Sequence, residues 1–170
     1  FCLMATPTPE TSNNSTTCYN GYAGTVIFNR SSGFYSSSQN ITLSSTIPGA
    51  TIRYTTNGNV PKTTDRLYTS AIHLNNTTTI RARVFLTGYL PGPTITNTYL
   101  INEDTHLPVF SIVTDSLNLW DYNTGIYVKG PNAESASPYF GANFWQDWAK
   151  PAAVEFFDKS QNSIVKFDSD

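Results

Sequence analysis

Between residues 24 and 101 the chain runs as short segments that alternate polar and apolar residues, each closed by turn formers. The clearest is Thr51-Ile52-Arg53-Tyr54-Thr55-Thr56-Asn57-Gly58-Asn59-Val60-Pro61. Its first four residues alternate at period two, as a strand with one buried face must. Asn57-Gly58 accepts the positive φ angles of a tight hairpin turn, which would set the register of the neighbouring strands. Pro61 then withholds the amide that a continuing ladder would need.

The same pattern recurs on either side. Residues 25–28 form a strand candidate, residues 32–35 a bend carrying two aromatics, and residues 40–44 an alternating strand. Pro48-Gly49 is a turn. After a loop over residues 60–69 come a strand at 71–74, the turn Asn75-Asn76 and the longest strand, residues 78–86. There Ile80, Ala82 and Val84 face one way and Thr79, Arg81 and Arg83 the other, so both arginines read as outward, solubilising charges. A last strand covers 94–101. Seven or so strands with turns between them and no helical periodicity predict a mainly β fold, an immunoglobulin-like or fibronectin-III-like sandwich.

Asn102-Glu103-Asp104-Thr105-His106 marks a boundary. Beyond it, residues 107–113 read as a strand buried on both faces. Asp115 caps a short helical turn through Ser116 to Trp120, and Asn123-Thr124-Gly125 turns the chain into Ile126-Tyr127-Val128. A loop of small residues spans 129–141. The aromatic run Asn143-Phe144-Trp145-Gln146-Asp147-Trp148 precedes a strand at 152–157, a hairpin turn at 158–162 and a further strand from Ile164. The sequence stops at Asp170 as if cut from something longer. The expected division is an N-terminal segment, 1–23, a sandwich, 24–101, and a smaller β-rich segment with short helical turns, 107–170.

Composition narrows the class. Charged residues are 13% and aromatics 14%, which excludes a disordered tail or a coiled coil. A net charge of −2 offers no attraction for nucleic acid or an anionic membrane, and no run of about 18 apolar residues exists to span a bilayer. Cys2 and Cys18 flank a Thr/Pro/Asn-rich lead-in, and their pairing would pin it at a gain of about 3 kcal/mol. A disulfide in a chain this poor in lysine fits an extracellular protein. His73 and His106 are far from both cysteines, so no metal site or cofactor is expected.

Two stretches resemble known families. Ser32-Gly33-Phe34-Tyr35, the run from Ile52 to Pro61, Tyr68, Ile80-Arg81-Ala82-Arg83 and Tyr99 are similar to the fibronectin-III-like module at the C-terminus of chitobiases and β-hexosaminidases. Asn57 stands where that module usually has Asp, which keeps the turn and removes a charge. Leu107-Pro108-Val109-Phe110-Ser111-Ile112-Val113-Thr114-Asp115, Asn118-Leu119-Trp120-Asp121, Thr124-Gly125-Ile126-Tyr127-Val128, the aromatic run, Pro151 and Val154-Glu155-Phe156-Phe157 resemble the opening of the CotH kinase-like domain of secreted bacterial surface proteins. The order of the two agrees with such proteins. The nucleotide- and metal-binding residues of that kinase-like fold lie further along, so no catalytic residue is assigned here.

Two readings stay open for the aromatic run. Phe144, Trp145 and Trp148, with Trp120, can present ring faces to sugars, flanked by Asn143, Gln146 and Asp147 as hydrogen-bonding groups. Alternatively Trp145 and Trp148, three apart, pack one face of a helical turn against the next strand. Asp115, Asp121, Asp147 and Glu155 match no calcium-loop template, and caps and turns account for the first two. Sequons begin at Asn13, Asn14, Asn29, Asn40, Asn75 and Asn76, and composition alone can produce them. The expected role is a non-catalytic accessory or spacer module of a secreted bacterial cell-surface protein, in contact with other domains or surface proteins. The alternatives are a carbohydrate-binding module using residues 143–148, or a fragment of a CotH-type kinase whose catalytic residues lie beyond residue 170.

Overall fold

A computed structural model describes residue 3 and residues 18–158, 160 and 163–168. In chain order the elements are β1 (Ile27–Phe28), β2 (Gly33–Tyr35), β3 (Gln39–Ile41), β4 (Leu43–Ser44), β5 (Thr51–Thr55), β6 (Arg66–Leu67), β7 (Ile72–Leu74), β8 (Thr78–Phe85) and β9 (Ile95–Ile101). Then come β10 (Val109–Val113), α1 (Ser116–Trp120), a 3₁₀ turn (Asn143–Trp145), β11 (Ala153–Phe157) and β12 (Ser163–Asp168). The fold is mainly β, as the alternation predicts.

One layer is a five-stranded sheet in the order β2-β9-β8-β5-β6, antiparallel except where β2 lies parallel to β9. The pairs β1-β4 and β3-β7 supply the facing strands. Ile80, Ala82 and Val84 are completely buried, and with Ile52, Tyr54, Tyr99 and Ile101 they form one cluster with Val26, Ile41, Leu43, Ile72 and Leu74. Burying each of the larger aliphatic side chains contributes about 1.5–3 kcal/mol.

Local hydrogen bonds reshape several expected elements. The bend expected at residues 32–35 is a strand, because Tyr99 Oη and Asn97 Nδ2 both donate to Arg30 O (3.0 and 3.3 Å) and deliver the next residues to the edge of β9. The strand expected at 40–44 is split at Thr42. Asn29 Oδ1 accepts the Thr42 amide (2.8 Å) and the Asn29 amide donates to Thr42 O (3.1 Å), so β3 pairs with β7 and β4 with β1. Strand β6 arises inside the expected loop, where Arg53 Nη1 donates to Asp65 O at 2.8 Å. The turn expected at residues 123–125 continues through residues 126–128.

The Asn57-Gly58 turn is also not a two-residue hairpin. β5 pairs with β6 through Tyr54 and Arg66, across a loop spanning residues 56–65. Only Gly58 takes a positive φ, +86°. Asn57 instead accepts the Asn59 amide through its own side chain (3.1 Å), the local bond that Asn and Asp form in turns. The turn tip is therefore held by side chains rather than by a hairpin ladder.

The outward face of β8 and β9 is covered, contrary to the expectation for Arg81 and Arg83. β10, β11 and β12 form an antiparallel sheet with β11 central. Its inner face meets Thr96 and Thr98 with Ser111, Val113, Ala153 and Glu155, leaving a space of only about 10 Å³. Thr98 and Ser111 hydroxyls lie 2.7 Å apart, and the fully buried Phe157 meets Phe34 edge to face at 5.7 Å. Arg81 is thereby 4% exposed and Glu155 5%. Arg81 Nη1 donates to Gly58 O at 2.9 Å, and Arg83 Nε donates to Gly92 O. These arginines fasten turns. They do not solubilise a face.

The bridge Leu3–Tyr19, with the Tyr19 amide 3.0 Å from Leu3 O, brings together the chain beside each cysteine. Cys2 itself lies outside the described residues, as do the sequons at Asn13 and Asn14 and much of the turn expected at 158–162.

Two variants test the fastening of the Gly58 turn. A Cβ at residue 58 would stand 2.9 Å from Thr114 O at a φ of +86°, so Gly58→Ala is expected to cost about 1–2 kcal/mol in denaturant unfolding. Arg81→Met removes the donor to Gly58 O in a buried place and is expected to cost about 1–3 kcal/mol. An unchanged unfolding midpoint for Arg81→Met would refute the arginine's role.

Candidate functional site

Large apolar side chains are exposed very unevenly. Among the described residues 22–101, only Tyr22, Ile27 and Leu67 stand out, whereas thirteen follow residue 106. They fall into two surfaces of different chemistry.

The first is the outer face of the β10-β11-β12 sheet. Cross-strand register places Phe110 beside Phe156 and Phe156 beside Val165 in one row, and Ile112, Val154 and Phe167 in the next. Phe110 and Ile112 are 65% and 67% exposed, and Val165 and Phe167 are also exposed. Phe110 and Phe156 rings are 4.5 Å apart. The expectation that residues 107–113 are buried on both faces fails here. The inner face meets the sandwich, while nothing among the described residues covers the outer one.

The second surface is a lobe of loops between β10 and β11. Asp115 Oδ1 accepts the Leu117 amide (3.0 Å) and caps α1, as its position predicted. The helix is tied back by Asn118 Nδ2 donating to Thr114 Oγ1 at 2.7 Å, and by Ile126 and Tyr127 amides donating to Asn118 O and Leu119 O. Asp121 Oδ1 accepts from the Thr124 amide, its hydroxyl and the Asn123 amide at 2.8–3.0 Å. Those donors, the Thr124 backbone first, hold its carboxyl below the ordinary 3.8. Asp121 is thus occupied in its own turn.

Asn143 organises the lobe. It is 2% exposed, and its Nδ2 donates to Tyr122 O and Gly125 O, both at 3.1 Å, while its backbone amide donates to Lys129 O at 2.9 Å. Gly130 passes so close that a Cβ there would lie 2.1 Å from Asn143 Oδ1. Side chain and backbone of this one residue therefore tie the 122–125 turn and the loop at Lys129 to the 3₁₀ turn. Among the residues of the aromatic run, its polar head is the one the fold buries.

The aromatics themselves stay outside. Trp120, Phe144, Trp145 and Trp148 are 61%, 45%, 54% and 41% exposed. Trp120 stacks at a tilt on Tyr127 (5.6 Å), and Trp145 on Phe140 (5.7 Å) and Phe144 (6.3 Å). Trp145 Nε1 donates to Pro138 O at 2.9 Å, fixing the indole. The 3₁₀ turn ends at Trp145, so Trp148 does not share a helical face with it. Lys150 Nζ lies 5.6 Å from the Trp148 ring. Burial of Trp145 and Trp148 under a helical turn is not what the fold does.

Among the described residues no group of three or more His, Cys, Asp or Glu side chains gathers where a metal ion would fit. Asp115, Asp121 and Asp147 lie in the lobe loops, and Glu155 is buried against the sandwich. Burial drives the Tyr99 phenol well above its ordinary pKa, and its hydroxyl donates to Arg30 O while accepting from Asn97 Nδ2. No helix among the described residues is long and apolar enough to cross a membrane.

Residues 30–96 match the family model of the chitobiase/beta-hexosaminidase C-terminal domain. No curated protein and no solved structure matches the chain. The matched part is the sandwich, and both exposed surfaces lie outside it.

If Asn143 is the knot of the lobe, Asn143→Ala should accelerate amide exchange across residues 122–130 while leaving β8 and β9 protected. Loss of two buried hydrogen bonds is expected to lower stability by about 2 kcal/mol. Equal exchange in wild type and variant would contradict this.

Proposed function

We propose that the chain is a non-catalytic accessory module of a secreted, bacterial cell-surface protein, a spacer that presents neighbouring domains and contacts another polypeptide. The observation that carries this is the uncovered apolar face of the β10-β11-β12 sheet. Six apolar side chains in two cross-strand rows, with no charge among them, suit a second protein layer rather than a soluble ligand. The family match at residues 30–96 supports an accessory role for the sandwich. The division at residues 102–106 and the CotH-like character of residues 107–157 belong to the same reading, and no catalytic role is assigned to any residue.

Replacing Phe110 and Ile112 by threonine keeps strand propensity and removes one exposed apolar side chain from each row. The wild-type chain is expected to bind an apolar-surface dye in its native state and to self-associate as its concentration rises. The double variant should need at least about tenfold more protein to do so, since each side chain carries about 1.5–3 kcal/mol of burial. A wild-type chain that binds no dye and stays monodisperse would rule out the contact face.

The extracellular setting rests on Cys2 and Cys18. We place a disulfide between them, supported by the Leu3–Tyr19 bridge. Peptide mapping without reductant should recover the two cysteines in one cross-linked fragment, and free thiols at both would remove this support.

A further inference from the structure

The aromatic lobe differs from the apolar sheet face in a way that points to another ligand. On the sheet face the described cross-strand rows, Phe110, Phe156 and Val165 beside Ile112, Val154 and Phe167, are all apolar. In the lobe, exposed rings alternate with exposed hydrogen-bonding groups: Asn123 and Thr124 between Trp120 and Tyr127, and Gln146 and Asp147 between Trp145 and Trp148. Rings that offer a flat apolar face beside amide and carboxyl groups match a pyranose, which offers axial C–H bonds on its face and hydroxyls around its edge.

The rings are also held before any ligand arrives. Trp145 is fixed by its bond to Pro138 O and by the flanking Phe140 and Phe144. Trp120 leans on Tyr127, whose amide is bonded back to the helix at Leu119 O. Asn143 ties the loops that carry both groups. Tyr139 adopts a φ of +62° beneath Lys129 Nζ, which sits 3.4 Å from its ring centre, so the segment leading to Phe140 is held in one uncommon conformation. Side chains ordered in advance lose little entropy on binding.

We infer that this lobe is a glycan-binding surface on which Trp120 with Tyr127, and Trp145 with Phe140 and Phe144, are two stacking platforms for a neutral, β-linked, gluco-configured chain. In that configuration all ring substituents are equatorial, so both faces of each sugar are free of hydroxyls and can lie flat on an indole. An axial hydroxyl would spoil one face. Trp148 lies further along, beside Lys150, and is not needed for either platform. The inference concerns different residues from the polypeptide-contact face, and either can fail alone.

The chain has three tryptophans, all in this lobe, so intrinsic tryptophan fluorescence reports on it selectively. The probe is a soluble β-1,4-linked glucose hexasaccharide, with the corresponding mannose hexasaccharide, whose C2 hydroxyl is axial, as comparison. A saturable fluorescence change is expected with the glucose chain and a weaker one with the mannose chain. Trp120→Ala and Trp145→Ala should each raise the apparent Kd at least about tenfold, while Phe110→Thr with Ile112→Thr leaves it unchanged. Trp120→Phe and Trp145→Phe, which keep the packing, should retain partial binding, and they stand in if an alanine variant fails to fold. The proposal is overturned by the absence of saturable change up to about 10 mM sugar, by equal responses in wild type and tryptophan variants, or by equal responses to both sugars. A spectrum that shifts with protein concentration and ignores sugar would make the lobe a self-contact and overturn it as well.

Discussion

The structure depends on how the outer face of β8 and β9 is covered. A sandwich sheet normally leaves that face to water, and arginines are at home there. Here the β10-β11-β12 sheet lies against it and takes Arg81 and Glu155 out of solvent. Removing a guanidinium and a carboxylate from water is costly unless their hydrogen-bonding capacity is used. Arg81 uses part of it on Gly58 O, and so the covering sheet also stabilises the turn that protrudes towards it. Asn59 continues the link, its Oδ1 accepting the Ser116 amide at 3.1 Å at the start of α1.

The same arrangement positions both exposed surfaces. Once the inner face of the three-stranded sheet is spent on the sandwich, its outer apolar rows have no further layer among the described residues. The loops between β10 and β11 then spring from the end of the sheet nearest the Gly58 turn. Thr114 Oγ1, donating to Pro151 O at 2.7 Å, closes the base of that long excursion. The sandwich is in this sense a platform, and its polar seam makes the docking orientation specific. Thr98 with Ser111, Arg81 with Gly58 O and Lys166 with Asn97 Oδ1 are all directional bonds, which apolar packing alone would not supply.

Much of the sandwich was legible because period two is imposed by the backbone itself. Ile80, Ala82 and Val84 had to share a face, and they are buried together. Asp115 as a helix cap was legible for a similar reason, since the bond it makes spans two residues. What escaped were elements defined by partners distant in sequence. Strand β2 exists because Tyr99 and Asn97 reach back to Arg30, and residues 39–44 divide because Asn29 occupies both backbone groups of Thr42. In the sequence the buried Asn143 reads only as a hydrogen-bonding group beside the aromatic rings. A buried Asn in a loop carries no periodic signal, although the glycine packed against it, Gly130, hints at a close approach.

The sequence by itself determined which residues alternate, where turns fall and that the chain is mainly β, because those properties follow from local backbone geometry and side-chain polarity. It also determined that the tryptophans cluster within one stretch. Only the tertiary structure decided which faces see water. Arg81 is buried because a sheet more than twenty residues away in sequence docks over the face it stands on, and Arg83 is turned to Gly92 O. Phe110 and Ile112 stayed outward because that sheet has only one face turned to the sandwich, and the lobe aromatics are exposed on the loops that leave it. Exposure is a property of what packs on a surface, and no local pattern encodes that partner.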